Sequence, residues 1–127
     1  MSPILKLMLL GYLAVAIAAR STSFTKISKD AWAIGSRIPG DKIIQHFNVY
    51  IPSSFSRVIK AFRVLRGDRT SKITQIVLTY QSFHGSGAEA SLISGGPGQN
   101  YATIQFKSKK DHGINFLVEV YGIRPSS

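Results

Sequence analysis

The side chains that most often perform acid–base, nucleophilic or metal chemistry are scattered singly along this sequence. The three histidines, His46, His84 and His112, lie in no HExxH, His-x-His or nucleophile-elbow pattern. Cysteine is absent, which removes thiolate metal sites, thiol nucleophiles and disulfides. Ser86 beside His84 is a weak hint of acyl transfer, because a glycine loop holds a triad poorly. We therefore expect no enzyme, no metal site and no cofactor; a site assembled from separate strands is the alternative left open.

Two glycine-rich stretches approach phosphate-binding patterns without completing them. A Walker loop needs a lysine, a hydroxyl and then a helix, whereas Gly95-Gly96-Pro97-Gly98 runs into Gln99-Asn100 and a strand pattern. Gly85-x-Gly87-x-x-Ala90 fits a loose dinucleotide fingerprint but opens no helix. We interpret the first stretch as a tight turn in which Gly95 or Gly96 adopts a positive φ.

Basic residues dominate the charge, with 16 Lys and Arg against 6 Asp and Glu. This balance favours an anionic partner, such as a glycan, a lipid head group or nucleic acid. A protein of unknown identity is the alternative partner, and no small-molecule substrate is expected. Six cations recur at intervals of three residues. On a helix they would form one continuous basic stripe that could bind an anion. The alternative is that they are charges on an edge strand that oppose aggregation. The candidate patch comprises Arg57, Lys60, Arg63, Arg66, Arg69, Lys72, Lys107, Lys109 and Lys110.

Residues 1–19 have the layout of a secretory signal. Lys6 precedes an apolar run from Leu7 to Ala19, which ends in small residues and is shorter than the roughly 20 residues that cross a bilayer as a helix. Cleavage after Ala18 or Ala19 would leave 16 − 1 = 15 basic residues against 6 acidic ones, a formal charge of +9. The sequence therefore predicts a secreted, extracellular chain that does not span a membrane.

Residues 20–127 have the length of one domain and the patterning of a β-sheet protein. After a polar arm over residues 20–28, apolar side chains alternate at Ile43, Phe47, Val49 and Ile51, and residues 73–80 indicate a central strand. Residues 57–65 fit a helix or a strand, and their β-branched and aromatic content favours the strand. We expect a single-domain antiparallel β-sandwich or barrel of six to eight strands.

The end of the chain has the clearest alternation. Ala102, Ile104 and Phe106 form one apolar face, and a second face follows the basic loop Lys109–Gly113. We interpret the two strands as a hairpin with a five-residue loop. The second face comprises Ile114, Phe116, Val118 and Val120.

Residues 92–122 combine a glycine corner, a strand ending Phe-Lys-Ser, a basic turn ending His-Gly, then Asn-Phe and a strand ending Tyr-Gly. These residues are Gly95, Gly96 and Gly98, Phe106-Lys107-Ser108, His112-Gly113, Asn115-Phe116 and Tyr121-Gly122. The combination resembles the C-terminal signature of the insect family known as multiprotein bridging factor two. Many members are small secreted proteins of insect saliva, venom, gut or haemolymph, and the family name comes from a transcriptional co-activator. The resemblance implies a secreted, non-enzymatic binding protein; the alternative is a nuclear co-activator that retains residues 1–19.

Overall fold

The computed structural model describes residues 21–81 and 88–124, and within them it contains nine β-strands and no helix. The predicted all-β class is therefore confirmed. No helix long and apolar enough to cross a bilayer occurs in these two ranges, and residues 1–19 lie outside them. The strands are β1 (Thr22–Ser23), β2 (Thr25–Lys26), β3 (Ala31–Gly35), β4 (Lys42–Ile51), β5 (Lys60–Arg66), β6 (Lys72–Tyr80), β7 (Glu89–Gly95), β8 (Tyr101–Lys107) and β9 (Ile114–Ile123).

The strands form two antiparallel sheets with free edges. A four-stranded sheet has the order β1-β7-β8-β5, and a five-stranded sheet has the order β2-β3-β6-β9-β4. The architecture is thus a sandwich and not a closed barrel among the strands described. Seven strands have five or more residues, which is within the six to eight predicted. The other two, β1 and β2, have two residues each and lie in residues 20–28, which were predicted to be a loose arm. These two short strands form because the polar arm pairs with exposed edges, at Ser23 with Ser91 and at Lys26 with Trp32.

The core lies between β8 of one sheet and β9 of the other. Ile104 and Phe106 on β8, and Phe116 and Val118 on β9, are essentially inaccessible to solvent. The rings of Phe106 and Phe116 have centroids 5.4 Å apart. The faces predicted from alternation are therefore the faces that pack, as expected when sheets stack face to face.

The predicted hairpin between β8 and β9 is wrong. β8 pairs with β5 and β7, whereas β9 pairs with β4 and β6, so residues 108–113 cross from one sheet to the other. A hairpin and a crossover require the same alternation, because each strand needs only one buried face. The crossover is fixed by close packing: a Cβ on Gly113 would lie 2.4 Å from the Ile51 carbonyl oxygen.

Bulges change which side chains of β4 and β6 face the core. The register of β4 against β9 shifts between Ile43 and Gln45, and Ile43 is 46% exposed while Ile44 packs against the core. The prediction that Ile43 points inward is therefore wrong. A similar shift after Ile73 buries this residue on the same side as Ile76, although strict alternation separates them.

The ambiguous segment 57–65 contains a strand, as favoured, and its helical alternative is wrong. β5 occupies the edge of the four-stranded sheet and pairs only with β8 among the described strands. Ala61 and Leu65 are buried, whereas Phe62 and Val64 are 55% and 61% exposed. β6, predicted to be central, lies between β3 and β9.

Candidate anion-binding surfaces

The cations predicted at intervals of three residues run along the edge strand β5 and past both of its ends. The length of this strand separates them into two groups. β5 spans Lys60–Arg66, and at about 3.3 Å per residue its two ends lie about 20 Å apart. Register places Lys60 opposite Lys107 and Arg66 opposite Tyr101. The nine candidate cations therefore form one group at each end of β5, with Arg63 between them.

We name the first group, Arg57, Lys60, Lys107, Lys109 and Lys110, the lysine end. Arg57, Lys109 and Lys110 lie in two connections, residues 52–59 and 108–113, and Lys60 and Lys107 are the strand residues next to them. The two connections are joined by hydrogen bonds. The Ile59 N–H donates to Ser108 Oγ at 2.8 Å, and the Ser108 N–H donates to the Ile59 carbonyl at 2.9 Å. Ser108 is buried, and the Asp111 N–H donates to the Arg57 carbonyl at 3.0 Å. The cationic side chains thus extend from a fixed backbone.

The second group, named the arginine end, contains Arg66, Arg69, Lys72, Lys42 and Arg124. The sequence did not single out Lys42 or Arg124, which reach this place because β4 and β6 pair with the end of β9: Lys42 lies opposite Gly122 and Lys72 opposite Ile123. A cleft of about 600 Å³ separates the start of β4 from the end of β5. Its lining consists of Gly40, Lys42, Ile43, Ile44, Gln45, Arg66, Gly67, Asp68, Ser71, Gly122 and Arg124.

Asp68 fixes the wall of this cleft. Its Oδ1 accepts hydrogen bonds from the Ser71 N–H and Oγ, each at 2.8 Å, and from the Thr70 N–H and Oγ1 at 3.1 and 3.0 Å. Its Oδ2 pairs with Arg124 Nη2. The Ser71 hydroxyl, followed by the other donors, lowers the pKa of Asp68 to about 2. The cleft thus carries Lys42, Arg66 and Arg124 against one carboxylate, which favours an anionic occupant.

The glycine corner does not offer its N–H groups to a ligand. Gly95, Gly96 and Gly98 have φ values of 71°, 108° and 89°, the left-handed region that glycine tolerates. The Gly96 N–H donates to the Tyr101 carbonyl and the Gly98 N–H to the Ile73 carbonyl, both at 2.8 Å. Because a phosphate cradle requires free N–H groups, this stretch is a turn, as interpreted from the sequence.

The histidines that the structure describes are not brought together. His46 lies on β4 opposite Glu119, and His112 lies in the 108–113 crossover; neither forms an ion pair within residues 21–81 and 88–124. No cluster of three or more His, Asp or Glu side chains in those ranges could hold a metal ion. His84, Ser86 and the Gly85-x-Gly87 pattern lie outside the described residues.

A second depression, of about 480 Å³, opens at the other side of the sandwich. Its apolar walls include Phe24, Trp32 and Phe116, and Glu89 and Lys107 contribute charge. Both depressions have the size of small-molecule sites. The expectation that the protein has no small-molecule ligand therefore stays a prediction.

The residues of the family resemblance are mostly structural. Phe106 and Phe116 meet in the core, and the Arg37 guanidinium carbon lies 3.9 Å from the Tyr121 ring centroid. The Asn115 carbonyl accepts a hydrogen bond from the Gln81 N–H at 3.0 Å. Only Lys107 of these residues also belongs to the lysine end.

Comparison with known proteins agrees with this resemblance. A family profile described as "Transcription activator MBF2" matches residues 34–122. A protein of Bombus ignitus named "Probable salivary secreted peptide" is 39% identical over 88 residues, which is 69% of this chain and 66% of the relative, just under two thirds of its length. No solved structure matches the chain. Since the matched range contains β4 to β8 and nearly all of β9, the chain belongs to the MBF2 family.

Proposed function

We propose that this protein is a small secreted, non-enzymatic component of insect saliva, venom or gut secretion that attaches to anionic partners through its two cationic ends. The observation that carries this proposal is the placement of cations at both ends of β5, on fixed backbone and around a cleft. The salivary name of the Bombus relative supports secretion, as does the predicted signal in residues 1–19.

The acidic residues neutralise the two cationic ends only in part. The described residues contain 14 Lys and Arg and 6 Asp and Glu, a balance of 14 − 6 = +8. Asp68 pairs with Arg124 of the arginine end, while Asp111 and Glu89, which lies opposite Lys107, adjoin the lysine end; the two ends together carry ten cations. An approaching polyanion would therefore meet mostly cations, and its attachment would weaken as salt screens them beyond about 8 Å.

Secretion is tested by expression of the tagged full-length chain in insect cells. We expect the product in the medium, starting at Ala19 or Arg20. The family description favours a second candidate, a nuclear co-activator. A nuclear product with an intact Met1 end would overturn the secretory proposal and support the co-activator.

Attachment to anions is tested by retention on immobilised heparin, a sulfated glycan, along a salt gradient. We expect Lys109→Glu/Lys110→Glu and Lys42→Glu/Arg66→Glu each to elute at lower salt than wild type. The matched control is Lys26→Glu/Lys29→Glu, which changes the same charge at two exposed positions outside both ends. Equal shifts in all three variants would show that only net charge matters and would overturn the assignment to the two ends.

A further inference from the structure

The most exposed large apolar side chain of the described residues lies beside the lysine end. Phe55 is 93% exposed, and Val58, three residues later in the same connection, is 46% exposed. An isolated exposed apolar residue is ordinary on a protein surface. A phenylalanine at a turn, next to a group of cations, fits a partner that has both apolar and anionic parts.

The turn that carries Phe55 is held in one conformation. The Arg57 N–H donates to the Ser54 carbonyl at 3.1 Å, and Ser56 has a φ of 62°. The Ser56 N–H donates to the Asp111 carboxylate, which ties this turn to the 108–113 crossover. The Asp111 N–H donates back to the Arg57 carbonyl. Phe55 is therefore presented on a fixed support, next to the connection that carries Lys109 and Lys110.

We propose that this end of the sandwich docks on an anionic lipid bilayer, with Phe55 inserted at the level of the head groups and acyl boundary and the lysine end on the lipid phosphates and carboxylates. The inference rests on the proposed function and names the partner of one of its two cationic ends. Interfacial regions of bilayers accept an apolar residue flanked by cations, because both components contribute to binding there.

Other occupants fit the same surface less well. A sulfated glycan or a nucleic acid duplex would engage the cations but would leave Phe55 in water. A single strand could stack a base on Phe55, and the absence of binding to mixed vesicles described below would point to such a partner. A stable protein interface buries about 800 Å² on each side, with an apolar centre, whereas this turn offers only Phe55 and Val58. A second copy of this chain would bring two lysine ends against each other, which repel.

The proposal is tested by co-sedimentation of the mature protein with vesicles of phosphatidylcholine, alone or mixed with phosphatidylserine. We expect binding to the mixed vesicles only. Phe55→Ser should lower the partition coefficient about tenfold, and Lys109→Gln/Lys110→Gln should lower it by about fivefold for each charge. The matched control is Phe62→Ser, an exposed phenylalanine on the sheet face, which should bind as wild type does.

Insertion has its own readout. Phe55→Trp should show a blue-shifted emission with mixed vesicles, quenched by lipids brominated on their acyl chains, beyond any change of Trp32 in wild type. Equal binding by Phe55→Ser and wild type would overturn insertion, and so would absence of binding to mixed vesicles. If heparin retention and secretion persist in either case, the proposed function stands and only the bilayer is rejected. Loss of heparin retention in Phe55→Ser would likewise overturn the bilayer as the specific partner.

Discussion

At the scale of single residues, Phe116 connects the aromatic side chains of the core. Its ring contacts Phe106 of the facing sheet, and it meets Trp32 and Tyr80 of its own sheet edge-on, at centroid distances of 6.2 and 5.4 Å. Such edge-to-face arrangements contribute beyond the area they bury. One side chain thus joins both sheets of a domain that has no disulfide.

Truncation of Phe116 should be among the most damaging substitutions in the described chain. We expect Phe116→Ala to lower the free energy of unfolding by about 3 to 5 kcal/mol, because it leaves a cavity between the sheets. Phe62→Ala, at an exposed position, should cost less than about 0.5 kcal/mol. Urea unfolding of both variants and wild type measures these differences, and similar losses would contradict the placement of Phe116 at the centre.

The glycine corner should give a graded series of alanine substitutions. A Cβ on Gly95 would lie 2.3 Å from the Tyr101 carbonyl oxygen, a backbone atom that cannot easily move, whereas on Gly96 it would meet Cδ2 of Leu92 at 2.6 Å. A Cβ on Gly98 would meet nothing within 4 Å, so only the backbone strain of about 1 to 2 kcal/mol remains. We expect the melting temperature to fall most in Gly95→Ala, less in Gly96→Ala and least in Gly98→Ala.

The same thermal melts test whether the corner binds a phosphate group. Because the corner's N–H groups are occupied, nucleotide should not raise the melting temperature of wild type or of these variants at physiological salt. A rise in wild type that is lost in Gly96→Ala would contradict the turn.

At the scale of elements, β5 combines a free edge with exposed apolar side chains, and this combination favours unwanted self-association of the protein. Phe62 and Val64 are exposed, and a second β5 could pair with the free backbone groups. Antiparallel self-pairing centred on Arg63 would set Arg63 opposite Arg63 and Lys60 opposite Arg66. Like charges directly opposite each other destabilise a pair of strands. We therefore expect the cations within β5 to oppose self-pairing, a role that Lys60 and Arg66 would have in addition to the proposed partner binding.

Removing these charges should promote self-association. We expect Lys60→Thr/Arg63→Thr/Arg66→Thr to form larger species than wild type at equal concentration, measured by size-exclusion chromatography with light scattering. The matched control, Arg57→Thr/Arg69→Thr/Lys72→Thr, removes the same charge from outside β5. If both triple variants behave alike, net charge and not the edge governs association.

Strand existence and buried faces could be predicted from the sequence, because alternation records which side of a strand is covered. Ile104 and Phe106 illustrate this success. Pairing could not be predicted in the same way, since β8 shows one apolar face whether it continues into a hairpin or a crossover. The bulge after Ile43 also leaves no trace in composition. The candidate site shows the same difference. The cations of β5 could be recognised from their spacing in the sequence, whereas Lys42 and Arg124 are far apart in the sequence and come to one cleft because β4 pairs with the end of β9.

At the scale of the whole molecule, scarce carboxylates hold turns of an otherwise cationic protein. Asp41 accepts hydrogen bonds from Arg37 Nε at 2.8 Å, from the Ile38 N–H at 3.0 Å and from Thr74 Oγ1 at 2.9 Å. The Arg37 side chain, first among these partners, lowers the pKa of Asp41 to about 2. Asp68 has a similarly lowered pKa through Ser71. The two carboxylates fix the turn before β4 and the turn before β6.

This arrangement predicts how stability depends on acid. Both carboxyls have ordinary pKa values of 3.8 and folded values of about 2, so the folded state favours their ionised forms. Their contribution is fully present above about pH 4, and it is lost as the pH falls through about 2, because the unfolded chain takes up protons first. We expect the urea midpoint of wild type to fall as the pH is lowered from about 4 to about 2.

The double variant Asp41→Asn/Asp68→Asn tests whether these two carboxyls cause the fall. It should be less stable than wild type near neutral pH, and the difference in stability should shrink as acid protonates the carboxyls of wild type. Asp30→Asn, which removes one exposed carboxyl in the loop before β3, measures the effect of a single lost charge, half of the charge change in the double variant. A difference between wild type and the double variant that stays constant from neutral pH to pH 2 would show that these two carboxylates do not carry the acid dependence.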